Sequence, residues 1–227
     1  MISVIIPVFN EEKSIVTLVN YLRKEAPAEY LEIVIVDGGS TDNTVIVAEQ
    51  AGAKVIVSDK KGRAVQMNVG AKLAQGDIFY FLHADTFPPS GFYKHIIHAL
   101  SPSVGAGCFR LKFDHDHPLL TFYSWFTRLN FDVVRFGDQS LFVKKNVWEK
   151  VGGFNEKLIV MEDQVIVPAL KKHTQFSILA QTVTTSARKY RKVGIIRLQI
   201  IFTVIVILFY FGIDQQKIAK FYEHQLR

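Results

Sequence analysis

Two polar turns and one acidic pair hold the side chains in this chain that could do chemistry. Asp37-Gly38-Gly39-Ser40-Thr41-Asp42 follows the apolar run from Glu32 to Val36. Its glycines let backbone approach a ligand, and Asp37 can accept hydrogen bonds from a base or a ribose. The competing reading is a capped turn in which Ser40, Thr41 or Asp42 starts the next helix. His83-Ala84-Asp85 closes another apolar run, and a carboxylate there can hold Mg²⁺ or Mn²⁺ against a diphosphate while water completes the shell. Asp85 as the N-cap of a helix at Pro88 is its alternative. Glu162 and Asp163 follow Gly152-Gly153-Phe154 at the start of a predicted helix running toward Leu170. They either complement the helix dipole or supply one carboxylate to take a proton from an attacking hydroxyl.

Other groups point elsewhere or nowhere. Lys60, Lys61 and Arg63 form a basic loop suited to phosphate, or simply a solvated face. His115 and His117 flank Asp116 without a third clustered ligand, which reads as an exposed loop. Cys108 sits in a predicted strand with no local base and reads as buried packing. The sequence contains no G-x-G-x-x-G after its first strand, no G-x-x-x-x-G-K-[ST] and no H-E-x-x-H, so dinucleotide, P-loop and zincin readings lose their support.

The elements that must position these residues alternate. Ile2 to Phe9 reads as a buried strand, and Ile15, Leu18, Val19 and Leu22 recur at helical spacing behind Asn10, a predicted N-cap with Glu11 and Glu12 in the first turn. Strands are predicted again at Glu32 to Val36, Val55 to Val57 and Ile78 to Leu82. Helices are predicted through Val45, Ala48 and Ala51 to a Gly52 C-cap, and from Ala64 through Ala74 to Gly76. Such alternation implies an α/β fold with a mainly parallel sheet, helices on both faces, and ligands at the carboxyl ends of the strands. After Pro88-Pro89 a helix to Leu100 leads to a strand at Ala106 to Phe113, and antiparallel strands and irregular loops are expected beyond it.

Composition bounds the rest. The chain has 227 residues, a net charge of +6, 28 aromatic residues and one cysteine. This length and aromatic content describe one folded domain, not a disordered segment, and Cys108 can make no internal disulfide. The first residues show no basic region or cleavage site of a secretory signal, so a cytoplasmic setting is expected. A charge of +6 without a recognised nucleic-acid module gives no expectation of nucleic-acid binding.

Taken together, Ser3-Val4-Ile5-Ile6-Pro7-Val8-Phe9-Asn10-Glu11-Glu12 and Val36-Asp37-Gly38-Gly39-Ser40-Thr41-Asp42 resemble the opening of family-2 glycosyltransferases, which have the GT-A nucleotide-sugar fold. More narrowly, the run from Gly62 to Ala71, Phe81-Leu82-His83-Ala84-Asp85-Thr86, Gly137-Asp138-Gln139 and Ser186-Ala187-Arg188-Lys189-Tyr190 resemble a bacterial subgroup known as radical-SAM/selenodomain-associated transferase 2. The resemblance implies transfer of a sugar from a nucleoside-diphosphate donor, most often UDP, to an acceptor hydroxyl with inversion. It implies that Asp37 binds base or ribose, with Pro7, Glu11, Gly39 and Ala84 around the nucleotide and Arg63 on phosphate or base. Asp85 matches the last acid of a metal-binding D-x-D pattern whose first acid is His83 here, so the pair would share an Mn²⁺ or Mg²⁺ ion. Asp163 matches the general base, with Glu162 as the fallback. Arg188 and Arg191 lie in the basic-aromatic motif, where Tyr190 replaces a common Trp, and Asp138 and Gln139 fall on the acceptor side.

Leu198 to Ile213 carries no charge over 16 residues, and a helix of that length spans only ~24 Å against a hydrocarbon core of ~30 Å. A helix packed on the domain or lying on a membrane surface is expected, with a homodimer interface as a further use and a true span as the minority reading. The chain thus divides into a GT-A-like domain at 1–192 and a helical extension at 193–227. Within the domain, 1–100 is the nucleotide-binding half and 101–192 the acceptor half. A nucleotidyltransferase on a similar sheet, or an inactive nucleotide-sugar-binding protein, are the alternatives to sugar transfer. A peripheral position at the inner face of the membrane is compatible with either.

Overall fold

A computed structural model of the chain describes residues 1–226. Strands and helices alternate as β1 (Ile2–Val8), α1 (Ile15–Glu25), β2 (Leu31–Asp37), α2 (Thr44–Gln50), β3 (Lys54–Val57), α3 (Arg63–Leu73) and β4 (Ile78–Phe81). Successive residues of a strand face opposite sides of the sheet, so both faces of a run as apolar as β1 must be covered. Val4, Ile6 and Val8 pack with Ile15, Leu18, Val19 and Leu22 of α1 on one face. Ile5 packs with Ala64, Met67 and Ala71 of α3 on the other.

The second half continues with β5 (Thr86–Phe87), α4 (Phe92–Ala99), β6 (Val104–Phe113), α5 (Pro118–Trp125), β7 (Leu141–Lys144), α6 (Lys145–Val151), α7 (Glu162–Lys171) and β8 (Gln175–Thr185). It ends in α8 (Arg188–Val193), α9 (Ile195–Tyr210) and α10 (Gln215–Leu226). Among the described residues, the eight strands join one sheet in the order β3-β2-β1-β4-β7-β6-β8-β5. Pairings from β3 to β4 are parallel, as is β6 with β8, whereas β7 runs antiparallel to both its neighbours and β5 antiparallel to β8. The chain moves outward from β1 to β2 and β3, then returns to place β4 on the other side of β1. That reversal opens a crevice above the carboxyl ends of β1 and β4, where open α/β sheets bind ligands.

Three local expectations need correction. Asn10 is not an N-cap: it takes a left-handed φ of 56°, and α1 begins only at Ile15, so Glu11 and Glu12 lie in a loop ahead of the helix. The cause is tertiary, since this loop is hydrogen-bonded to the Ser40–Thr44 turn. The helix after Pro88-Pro89 starts at Phe92, behind Gly91 in the left-handed region. Asp85 caps nothing there, because β5 intervenes.

Close approach of α3 to the sheet depends on Gly70. A Cβ at this position would lie 2.5 Å from Ile5 Cγ2 and 3.0 Å from Val36 Cγ2. Gly70→Ala is therefore expected to destabilise the fold by about 1–3 kcal/mol through overpacking, lowering the thermal midpoint by about 3–10 °C. Calorimetry checks this, and an unchanged midpoint would contradict the packing.

Candidate functional site

At the β1–β2 end of the crevice, two loops are stitched into one floor. Asp37 is buried at the end of β2, where its Oδ2 accepts from Gly39 N and Ser40 N at 2.9 Å each and its Oδ1 from Ser40 Oγ at 2.5 Å. Gly39, at φ 88°, makes this tight turn. The neighbouring loop docks on it: Asn10 N donates to Ser40 Oγ at 2.8 Å, Thr41 N to Asn10 Oδ1 at 2.8 Å, and Glu11 N to Thr44 Oγ1 at 2.8 Å. Asp42 also holds the start of α2 by accepting from Thr44 N at 3.0 Å. Both readings of this turn are thus compatible with its geometry, with Asp42 serving the helix and Asp37 the turn that faces the crevice. Pro7 lies buried within β1, opposite Val36.

Beneath this floor, Gln66 of α3 donates from Nε2 to Val8 O at 2.9 Å and to Val36 O at 2.7 Å. It thereby ties together the carboxyl ends of β1 and β2 as their loops diverge. Sequence reading passed over it as a site residue, although an amide at the buried position between Ala64 and Gly70 is a signal.

Asp85 stands just past β4 and faces Arg188, which approaches from the far end of the chain. Arg188 Nε lies 3.3 Å from Asp85 Oδ2, Nη1 donates to Glu11 Oε2 at 3.0 Å, and Nη2 pairs with Glu11 Oε1. One guanidinium therefore bridges the β1 loop and the β4 loop. Burial would raise the Glu11 pKa, but hydrogen bonds from Arg188 and Ser14 overcome it and hold the carboxyl below its usual range. Asp85 is pushed up by burial, which prevails although the charges of His83 and Arg188 pull it down; Asp138 and Glu11 add to the rise. Ala84 is buried between His83 and Asp85.

His83 Nδ1 and Asp138 Oδ1 are 2.9 Å apart. Burial opposes a charged imidazole, yet the Asp138 hydrogen bond raises the His83 pKa, and His83 in return lowers that of Asp138 against its own burial. Gly137 passes between this pair and the acidic pair of α7: a Cβ on it would meet Asp163 Oδ2 at 2.5 Å and His83 Nε2 at 2.8 Å. Asp163 is pushed up to about 6 by burial and by the adjacent Glu162 charge, with Arg63 and His83 opposing. Glu162 points differently. It is 1% exposed and its Oε1 lies 2.5 Å from Arg63 Nε. Against the cost of partial desolvation, the acidic neighbours Glu162, Asp163 and Asp138 raise the Arg63 pKa. A small cavity of about 20 Å³, room for about one water, is bounded by His83, Gly137 and Asp163. If the crevice is catalytic, Gly137→Ala is expected to lower turnover at least tenfold while leaving intact the nucleotide binding expected at the Asp37 end. Equal loss of both, read by kinetics and binding, would argue against this separation.

Among the described residues, the three non-glycine residues with positive φ all adjoin these loops: Asn10 in the β1 loop, Ser140 two residues after Asp138, and Met161 immediately before Glu162. Strained backbone of this kind persists where surrounding contacts demand it. Ser140 is held by Tyr80, their hydroxyls 2.9 Å apart.

Not every predicted residue reaches the crevice. Gln139 turns inward, 1% exposed, where its Oε1 accepts from Arg135 Nη1 at 2.7 Å and its Nε2 donates to Val134 O at 2.7 Å. Arg191 reaches Asp114 at 3.4 Å, and Arg63 faces the acidic pair. Arg135, also 1% exposed, supports the loop before Asp138 through the carbonyls of Thr127 and Leu129, a role no sequence pattern announced. Cys108 is buried beside it, with Arg135 Nη1 3.4 Å from its sulfur.

Among the described residues, no group of three or more His, Cys, Asp or Glu side chains could enclose a metal ion. The donors suit a divalent cation only in one manner. Asp85, with His83 two residues before it in the same loop, could contribute one or two ligands while diphosphate oxygens and water supply the remainder, as magnesium-type ions bind nucleotides.

The chain is similar to glycosyltransferases over much of its length. It is 38% identical over 104 residues to a Methanococcus voltae dolichyl N-acetyl-alpha-D-glucosaminyl phosphate 3-beta-D-2,3-diacetamido-2,3-dideoxy-beta-D-glucuronosyltransferase, over 42% of this chain and 32% of that protein. It is 26% identical over 175 residues to the glycosyltransferase AglE of Haloferax volcanii, over 70% and 57% respectively. The chain therefore spans about a third to a little over half of these relatives. Its fold matches that of Staphylococcus aureus TarS 1-349 in complex with UDP, with a TM-score of 0.67 at 24% identity over 87% of this chain and 63% of the other. It also matches a Pyrobaculum calidifontis mannosyltransferase in complex with GDP-Man and Mn²⁺, with a TM-score of 0.68 at 18% identity over 85% and 60%. These neighbours share the α/β architecture with a mainly parallel sheet that the strand alternation predicts, and the GT-A fold that the resemblance implies. The family model for glycosyl transferase family 2 matches residues 3–142, from the first strand through Asp37, Asp85 and Asp138, and the chain belongs to that family.

Proposed function

We propose that the protein transfers a sugar from a nucleoside-diphosphate donor, UDP first among the bases, to an acceptor hydroxyl in a single displacement that inverts the anomeric carbon. The observation that carries this reading is the approach of Asp163, raised to about 6, to the His83–Asp138 pair in the crevice that also holds Asp85 and Arg188. Asp163 takes the acceptor proton as the new glycosidic bond forms, and the bond to the diphosphate oxygen breaks with its electron pair on the leaving group. Arg188, already fixed by Glu11, stabilises that developing charge without moving far. Asp37 and the Gly39 turn receive the nucleoside at the other end. Asp138 borders the acceptor side.

A divalent cation held by Asp85 and His83 would neutralise the diphosphate when bound. The TarS structure with UDP and the mannosyltransferase structure with GDP-Man and Mn²⁺ support a nucleotide sugar and such an ion here. The Gly62–Ala71, His83–Asp85 and Ser186–Tyr190 motifs support membership of the selenodomain-associated subgroup. We place the catalytic domain at 1–192 and a helical extension at 193–227.

Thermal stabilisation against a panel of nucleoside-diphosphate sugars, with and without Mn²⁺, tests donor binding, because a ligand bound only by the folded state raises its midpoint. The expected result is stabilisation by a UDP-sugar that grows with Mn²⁺, and loss of the Mn²⁺-dependent part in Asp85→Ala. An equal shift in that variant would remove Asp85 from the cation, and no shift with any donor would oppose the reading.

A further inference from the structure

The C-terminal helices expose an apolar face that nothing in the donor site requires. On one side of α9, Leu198, Ile201 and Ile205 are buried with Phe113, Leu120 and Tyr190. On the other side Ile196, Ile200, Ile207 and Tyr210 recur at helical spacing and are 48–62% exposed, with Phe211 beyond them at 80%. Ile196, Ile200, Val204 and Phe221 also line an open groove of about 480 Å³ along α9 and α10. A contiguous exposed apolar surface of this kind marks an interaction site.

Charge selects its occupant. Residues 188–227 contain eight Lys and Arg against two Asp and Glu, whereas residues 1–187 contain nineteen of each. The whole net charge of +6 thus resides in the segment that carries the apolar face. Arg188 and Arg191 are engaged by Glu11, Asp85 and Asp114. Lys192, Arg197, Lys217 and Lys220 are exposed and outside every ion pair among the described residues. Apolar and aromatic side chains flanked by free cations match a bilayer with anionic headgroups, and match poorly a second copy of the same positive surface. No helix among the described residues is long and apolar enough to cross a membrane. Contact along the surface is the geometry left to α9.

We propose that the outer face of α9 and α10 docks on a bilayer bearing anionic lipid. Docking has a consequence for the acceptor side. Tyr210 Oη, at the end of α9, donates to Gln164 Oε1 at 3.3 Å, and Gln164 follows Asp163 in α7. The docked face is thereby joined to α7, the helix that carries Asp163, the base of the proposed reaction.

Vesicle flotation with the full chain tests the proposal independently of sugar transfer. The probes are phosphatidylcholine vesicles and vesicles containing about 30 mol% phosphatidylglycerol, with donor binding followed in parallel by thermal shift. The expected result is flotation only with the anionic vesicles, reversed by about 0.5 M NaCl. Ile200→Glu/Phe211→Glu and Lys192→Glu/Lys220→Glu should each reduce the bound fraction at least fivefold. Because these positions are exposed, melting temperature and donor binding should stay unchanged. Absence of flotation with either vesicle, or flotation unaffected by Ile200→Glu/Phe211→Glu, would overturn the proposal. A dimer in sedimentation velocity that this variant dissociates, without vesicle binding, would assign the face to a second copy instead.

Discussion

Asp163→Asn is expected to reduce nucleoside-diphosphate release by about 10²–10⁴-fold, the usual contribution of a positioned general base, while donor binding persists. The amide keeps the volume of the carboxylate but cannot take the acceptor proton. Glu162 cannot replace it, because its carboxylate is buried beside Arg63 and turned from the Gly137 passage. The same substitution should raise the melting temperature at neutral pH. With Asp163 at about 6 in the fold against an ordinary 3.8, the folded state binds a proton more readily than the unfolded chain in that interval. Stability therefore falls as pH rises from 3.8 to about 6, and above that the ionised carboxylate weighs against folding. Removing it relieves this penalty, which is the familiar opposition of activity and stability at functional sites. Kinetics, donor titration and calorimetry on one preparation check all three. Unchanged release would exclude Asp163 as the base, and a lowered melting temperature would contradict its electrostatic burden.

Arg188→Ala carries the second large effect. The guanidinium joins Glu11 and Asp85; in the proposed reaction it faces the leaving diphosphate, so its loss would remove transition-state stabilisation and leave two carboxylates facing each other. A fall in kcat/KM of about 10²–10³ is expected from the lost charge stabilisation. Arg188 is half-exposed, so the stability loss should be about 1 kcal/mol. Arg188→Lys should recover only a fraction of the activity, since an ammonium cannot reproduce the fork that engages both Glu11 oxygens. Full activity in Arg188→Lys would reduce the role to charge alone, and full activity in Arg188→Ala would remove Arg188 from the site.

How these residues come together was partly legible in the chain. Buried strands announce themselves when both faces are covered, so Ile2–Val8 and Leu31–Asp37 stood out, and their polar ends had to share one edge of a parallel sheet. The apolar tail was readable as a helix too short to span a bilayer for the same reason of length and pattern. Long-range pairing leaves no periodic trace. Glu11 and Arg188 are 177 residues apart, and the start of α1 was misplaced because contacts with Ser40 and Thr44 hold Asn10 and Glu11 outside the helix. Asp138 and Gln139 are adjacent and looked alike, yet a single turn sends one to His83 and the other to Arg135. Only the β6, β7 and β8 pairings, which set the path of that turn, decide between them.

The pH dependence of nucleoside-diphosphate release, measured with wild type and Asp163→Asn on the same donor and acceptor, tests the central claim most directly. The account predicts that kcat/KM for wild type falls below a midpoint near 6, the value of the Asp163 carboxyl, and that this acid limb disappears in the variant together with most of the activity. A wild-type profile flat through that region, or a limb retained unchanged in Asp163→Asn, would contradict it.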